Sequence, residues 1–312
     1  MTFQLSLPAR AILSVFIANV IFGVSFIFTK VALQYATPFV LLSCRFFVAL
    51  LVFTLIMFIG RIKITMKDKP WPLLLLLGLF QPVIYFLGET YGVLYTSATF
   101  SAIIIALIPI ASIWASAIFL KEAPTTKQSI FCCVSVLGVI IITASTTGGT
   151  NQLWGVLLLL MAVVADVAFN LLTRKLSVVF TPFERTYIMF IMGFVTFFSL
   201  ALFESGGSLQ PMLTAFTGEP LLPILYLGVA SSVIALFLVN YANTLLPVTR
   251  TIVFINVTTL VSVIIGVCYL HEPFSLLAVF ATGLIVLGIW GVQRYARRED
   301  ELPLGVLLEE EE

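Results

Sequence analysis

Phe119-Leu120-Lys121-Glu122 closes one apolar run of this chain, and Tyr269-Leu270-His271-Glu272-Pro273 closes another. A shift of 150 residues lays Leu120-Lys121-Glu122 on Leu270-His271-Glu272. The same shift carries Gly78 to Gly228, Tyr91 to Tyr241, Thr99 to Thr249 and Gly138 to Gly288. Nearer the N-terminus the shift is 144, which carries Thr29 to Thr173 and Thr37-Pro38-Phe39 to Thr181-Pro182-Phe183. The register changes between the second and third apolar runs of each half, where the second half has the longer connection, around Glu204-Ser205-Gly206-Gly207. Self-similarity at one long period marks a duplicated unit.

Each unit is built from runs long enough to cross a bilayer, for which a helix needs about 20 apolar residues. The spans expected are 11–33, 38–60, 71–95, 97–120 and 125–146, then 152–174, 182–204, 221–244, 247–270 and 274–294. A backbone in lipid must pair its own amides, so the runs predict helices. Turn chemistry separates them at Thr37-Pro38, Lys69-Pro70, Thr147-Gly148-Gly149, Thr181-Pro182, Leu246-Pro247 and Glu272-Pro273. The expected fold is an all-α integral membrane protein of ten transmembrane helices. Its first five-helix repeat is 11–146, its second is 152–294, and 295–312 is a cytoplasmic tail in which Glu309–Glu312 reads as an artificial extension. The N-terminal run is too long for a cleaved signal peptide and lacks a cleavage site.

Composition agrees. Of 312 residues 61% are hydrophobic and 10% charged, where a soluble domain carries about 25% charged residues. So few charges cannot clothe a water-facing surface, which leaves a lipid-covered one. A net charge of +1 without a basic run gives no footing for nucleic acid. Cys44, Cys132, Cys133 and Cys268 lack metal-ligand spacing and read as small packing residues. The single His271 excludes a multi-histidine metal site.

With the N-terminus inside, Arg10, Arg61, Lys63, Lys67, Lys69, Lys121, Lys127, Arg174, Lys175, Arg294, Arg297 and Arg298 fall on inner segments, and only Lys30 falls at an outer end. That bias predicts both termini cytoplasmic and an even number of spans, in a cell inner membrane. Five is odd, so the second unit enters the membrane from the opposite face. Inverted repeats give two near-equivalent packings, one open to each side, which is alternating access. The plainer reading is a duplication retained for stability.

The two halves also resemble a known family. The pattern is a small-residue helix four, Tyr95-Thr96-Ser97-Ala98, then Pro109, then Phe119-Leu120-Lys121-Glu122, then Gly138. It recurs as Tyr269-Leu270-His271-Glu272-Pro273 with Gly283 and Gly288, and helix two carries Pro38 followed by Arg45-Phe46. This resembles the drug/metabolite transporter superfamily in its EamA branch of ten-helix carriers, over nearly the whole chain. The resemblance implies efflux or exchange of metabolites, amino acids or drugs. One departure is that Met189 stands where Arg45 maps, so any role of Arg45 is confined to one half.

Ionisable groups inside a span are costly unless paired or hydrated, so each is a candidate site. Arg45 in span two and Glu89 in span three lie at similar depth, about 10 Å from the outer end, and are expected to be able to pair. Asp166 lies in span six, with Asn170 one turn on along the same face. The plainer reading of Arg45 is a structural tie, and of Glu89 its counter-ion. Gly88 and Gly92 around Glu89 permit close helix approach. The functional reading is that Glu89 or Asp166 binds and releases a proton in step with a solute, or that Arg45 holds a solute carboxylate. Asn19, Asn240, Tyr241 and Asn256 extend the candidate cavity, and Tyr85, Tyr91 and Trp114 are its candidate aromatic wall. Core or lipid packing is the plainer role of those aromatics. Pro82 and Pro109 are expected to kink spans three and four. Lys30 is expected to snorkel to the outer surface, Arg185 and Arg250 to anchor inner ends, and Glu122 and Glu272 to offset the dipoles of helices five and ten. Small residues on span four, from Ala102 to Ser116, suit tight packing within one bundle or a homodimer.

The expected partners are a small-molecule solute, the lipid bilayer and protons, with no cofactor and no catalytic residues. An intramembrane enzyme would need a nucleophile–base set, and the spans hold none. A receptor or scaffold would carry large loops or a signalling domain. A nucleotide-sugar or sugar-phosphate exchanger would carry several cavity cations for phosphate, where Arg45, Lys30 and Arg250 are few.

Overall fold

The computed structural model describes residues 7–62, 64, 69–119, 125–146, 150–176, 179–245, 254–272 and 274–295. Among these there is no strand. In chain order the helices are α1 (Leu7–Ala32), α2 (Pro38–Ile59), α3 (Trp71–Gly78), α4 (Tyr85–Tyr95), α5 (Ala98–Ile105), α6 (Ile108–Phe119), α7 (Thr126–Thr146), α8 (Thr150–Leu176), α9 (Pro182–Glu204), α10 (Gln210–Ala215), α11 (Leu221–Leu225), α12 (Leu236–Leu245), α13 (Ile255–Cys268) and α14 (Leu276–Arg294). Among the described residues, six stretches are long and apolar enough to cross a membrane: Ala9–Ala32, Pro38–Ile59, Trp71–Tyr95, Leu153–Thr173, Pro182–Glu204 and Leu221–Val239. Ala98–Ser112, Thr126–Ile141, Val257–Cys268 and Leu276–Gly291 are shorter apolar helices.

Helix starts repeat with the sequence. Thr37 and Thr181 are both extended N-caps whose hydroxyls accept from Val40 N and Glu184 N, and each is followed by a proline in the first turn. Proline suits that position because its missing N–H had no intrahelical partner to lose. At Thr181 the Glu184 carboxylate reaches back to the Thr181 N–H at 3.0 Å, completing a capping box.

Two mated pairs, α2 with α9 and α7 with α14, pack on one another and run antiparallel. Phe46 stacks on Phe197 at 5.7 Å and Phe53 meets Phe190 edge-on at 5.4 Å, so advancing along α2 means retreating along α9. A shift of 144 turns Phe46 into Phe190 and Phe53 into Phe197, which makes these two contacts each other's image. The α7–α14 pair behaves alike. A Cβ at Gly138 would lie 2.7 Å from the Ala281 carbonyl oxygen and from the Ile285 side chain, and one at Gly288 would lie 2.7 Å from the Phe131 carbonyl oxygen and 2.5 Å from the Ser135 side chain. A shift of 150 converts Phe131, Ser135 and Gly138 into Ala281, Ile285 and Gly288. Gly78 against Met192 and Gly228 against Val48 are likewise mates. Antiparallel mates about a common axis are the geometry of an inverted repeat.

Two of the long apolar stretches depart from regular α-helix. Between α3 and α4 the chain passes through a wide π-helical segment, Leu79–Ile84, in which Gln81 is non-helical (φ −138°, ψ 117°). Pro82 has no N–H to give, so the regular ladder cannot continue there. The second repeat carries a π-helical segment at the mated place, Tyr226–Ala235, between α11 and α12. Pro109 is preceded by the turn at Ala106–Leu107 that parts α5 from α6.

One ion pair ties the starts of α3 and α9. Lys69 Nζ lies 2.8 and 2.6 Å from the two Glu184 oxygens and 5.3 Å from the Phe180 ring. The acid is buried and the lysine largely so. Removing the cation leaves a buried carboxylate short of a partner. Lys69→Met is therefore expected to lower stability by about 1–2 kcal/mol, read as a thermal shift in detergent. An unchanged melting temperature would refute the assignment.

Candidate functional site

Charged and polar residues gather near the two π-helical segments, in the middle of an apolar bundle. Arg45 on α2 is buried. It donates from Nε to Ser232 Oγ at 3.0 Å and from Nη2 to Ser231 Oγ at 3.2 Å, both on the π-helical segment of the second repeat. Ser232 in turn donates to the Leu227 carbonyl at 2.8 Å. Phe86 covers the guanidinium at 4.3 Å, a cation–π contact that strengthens where water is excluded.

Glu89 on α4 is 4% exposed and its Oε2 has no hydrogen-bond partner. An unpartnered buried carboxylate oxygen is costly. The expected Arg45–Glu89 ion pair is not made: Arg45 gives its donors to serines of the other repeat, while Glu89 stays within electrostatic range of Arg45, Tyr85 and Asp166. Asp166 on α8 is half-buried and accepts from Asn170 Nδ2 at 2.8 Å, and Asn170 is exposed. The cluster therefore grades from the buried Glu89 to the surface along α8. Gly88 and Gly92 make the grouping possible. A Cβ at Gly88 would lie 2.5 Å from the Leu158 carbonyl oxygen and one at Gly92 2.5 Å from Leu159, so α4 and α8 approach at backbone distance.

The remaining candidates divide. Asn19 is buried and satisfied, donating to the Val15 carbonyl at 2.8 Å and accepting from Thr258 Oγ1 at 3.0 Å, so it ties α1 to α13. Tyr85 stands edge-on to Phe86, beside the cluster. Tyr91 packs against Phe39 and Tyr95, away from it. Trp114 is exposed and lines an open, apolar groove of about 450 Å³ between α6 and α7 with Cys132, Cys133, Val136 and Leu137. Tyr241 lines a separate apolar hollow of about 220 Å³ with Phe53, Phe183, Thr186 and Phe237. Neither space is lined by the Arg45–Glu89 cluster. The side chains of Asn240 and Asn256 lie outside the described residues, as do Glu122 and Arg250.

Several expectations change. Lys30 does not snorkel: its ammonium lies 2.8 Å from the Val93 carbonyl, 3.3 Å from that of Leu94 and 2.8 Å from that of Thr96. Those carbonyls are the free C-terminal acceptors of α4, which a cation satisfies better than water at this depth. Glu272 serves not the helix that follows it but α5, accepting from Ala98 N at 2.8 Å and Thr99 N at 3.0 Å. Arg185 donates to the Thr173 carbonyl at 3.0 Å. Cys44 and Cys132 are buried as expected, whereas Cys133 and Cys268 are exposed. The serine pair Ser231–Ser232 was missed, although a shift of 150 lays Gln81-Pro82 on it and so marks a mid-span polar dipeptide in both halves.

Known proteins match in the same two-part way. The model of the EamA-like transporter family matches residues 9–144 and again 153–294. An uncharacterized transporter of Bacillus subtilis, YcxC, is 33% identical over 90% of this chain and 92% of its own length. An uncharacterized transporter of Archaeoglobus fulgidus is 26% identical over 87% of this chain and 94% of its own. A solved crystal structure shares the fold with a TM-score of 0.64, at 17% identity over 92% of this chain and 98% of that one. Matched twice by one family and along most of its length by transporters of two organisms, the chain belongs to the EamA-like transporter family.

Proposed function

We propose that this protein is a secondary transporter that exports small metabolites, amino acids or amphiphilic drugs among them, across a bacterial inner membrane by alternating access. In this reading the six long and four shorter apolar helices make ten spans, and both termini are cytoplasmic. The observation that supports it is the mated pair of π-helical segments, 79–84 and 226–235, with Arg45, Glu89 and Asp166 gathered between the halves. Irregular helix at corresponding places of two inverted repeats is a feature of transporter solute sites.

Glu89 and Asp166 are the coupling groups, and a proton is the coupling ion. The charged and titratable groups that face Glu89 are Arg45 from α2, Tyr85 from its own helix and Asp166 from α8. Taking up a proton relieves the unpartnered Glu89 oxygen and is linked to solute release, and giving it up is linked to solute binding. In proteoliposomes with an imposed pH gradient, Glu89→Gln and Asp166→Asn are each expected to cut gradient-driven transport by about tenfold. A panel of amino acids, quaternary amines and phosphate esters, screened first by thermal shift, supplies the solute. Undiminished gradient-driven transport in both variants would refute proton coupling.

A further inference from the structure

Arg45 belongs to the first repeat, and its hydrogen bonds go to Ser231 and Ser232 in the second. Phe86 on α4 covers its guanidinium. One side chain thus joins three helical segments from both halves, where the second repeat's long helix widens to a π-helix. The duplication supplies an internal control. The mate of Arg45 is Met189, and the mates of Ser231 and Ser232 are Gln81 and Pro82. Met189 is buried among Leu74, Leu77, Leu176 and Phe180. The two mated crossings agree in their close packing, Gly228 on Val48 and Gly78 on Met192. They differ in the kind and place of the charged tether: Arg45 holds its serines in mid-span, whereas the crossing of α3 and α9 is tied at the helix starts by Lys69 and Glu184.

We infer that Arg45 is a positioning residue that biases the transport cycle, holding α2 onto the π-helical segment at Ser231–Ser232 by a mid-span contact that the mated crossing of α9 lacks. The inference rests on the alternating-access reading above. When two halves of a carrier are equivalent, exchanging their conformations produces the opposite-facing state, and identical halves would populate both states equally. A contact made in one half alone removes that equality. The Arg45 bonds are charge-assisted and buried, so parting this crossing strands a guanidinium in mid-span, where the mated position on α9 holds only the Met189 thioether. Release of Arg45 from the serines is then a step of the cycle.

Hydrogen exchange on the full chain in lipid nanodiscs tests this. One end of the bundle is read on peptides covering Lys69–Leu74 and Thr181–Glu184, the other on peptides covering Thr37–Leu41 and Val93–Thr99. Arg45→Met, which puts methionine at both mated positions, is expected to raise exchange at one end and lower it at the other by about fivefold. The Ser231→Ala/Ser232→Ala double variant keeps the arginine, removes only small hydroxyls and is expected to shift exchange in the same direction. Arg45→Lys, with its charge but no fork, is expected to fall between Arg45→Met and wild type. Exchange that rises at both ends alike, stays unchanged, or moves in opposite directions in the methionine and alanine variants overturns the inference. Transport by wild type in proteoliposomes is scored separately. A wild type that moves no solute of the panel counts against the transport reading, whereas a transporting wild type whose exchange pattern ignores these variants removes the Arg45 inference alone.

Discussion

Glu272→Ala is expected to destabilise the protein by about 3 kcal/mol, roughly 5 °C in melting temperature for a chain of this length. The carboxylate accepts from two backbone N–H groups, at Ala98 and Thr99, that open α5 and have no intrahelical partner. Alanine leaves both donors stranded where little water can replace the acceptor, and removes an anion from a helix N-terminus. Glu272→Gln keeps one acceptor oxygen and is expected to cost about half as much. Lys30 performs the complementary task three residues upstream, on the C-terminal carbonyls of α4. The two side chains lie within electrostatic range of each other, so Lys30→Met with Glu272→Ala is expected to cost less than the two single changes added together. Thermal unfolding followed by tryptophan fluorescence in detergent measures all four proteins. A Glu272→Ala melt matching wild type would refute the clamp, and strict additivity would refute the coupling.

The second large effect belongs to the α7–α14 contact. Gly138→Leu and Gly288→Leu are each expected to destabilise by about 3 kcal/mol, because a leucine at either place meets a backbone carbonyl that cannot rotate away. The two costs are expected to be similar, since each glycine faces the image of what the other faces. Combining them should add little. Once one leucine has pushed the helices apart, the second finds the space already open. Equal single effects with a double change near either one would support the reciprocal contact. Doubling of the loss would mean that the two glycines sit in independent environments.

Much of this arrangement is legible in the chain itself, because apolar length and repeat register are properties of residue type and spacing. Span limits such as 38–60 against Pro38–Ile59 agree within a few residues. The antiparallel relation of mated helices is what the expected odd number of spans per unit implies. What sequence reading loses is the partner of a long side chain. Lys30 and Glu272 were assigned to the nearest surface and the nearest helix, yet both reach to a junction brought close only by the packing of α1, α4, α5 and α13. Arg45 and Glu89 share a depth, which suggests a pair, but depth does not fix azimuth, and the guanidinium turns toward Ser231 and Ser232 instead. The break at Gln81 was anticipated from Pro82, whereas its mate at 226–235 carries no proline past Pro223 and is seen only in the backbone.

The four rings Phe46, Phe53, Phe190 and Phe197 stand on the axis relating the halves, each meeting the image of its own neighbour. A lone five-helix unit carrying Phe46 and Phe53 would present the same face to a second copy of itself, which is the self-complementary surface of a twofold dimer. In such an unfused ancestor every substitution on that face would appear on both sides, so a cation near the axis would confront its twin. Joining the copies in one polypeptide ends that obligation and lets an arginine at 45 coexist with a methionine at 189.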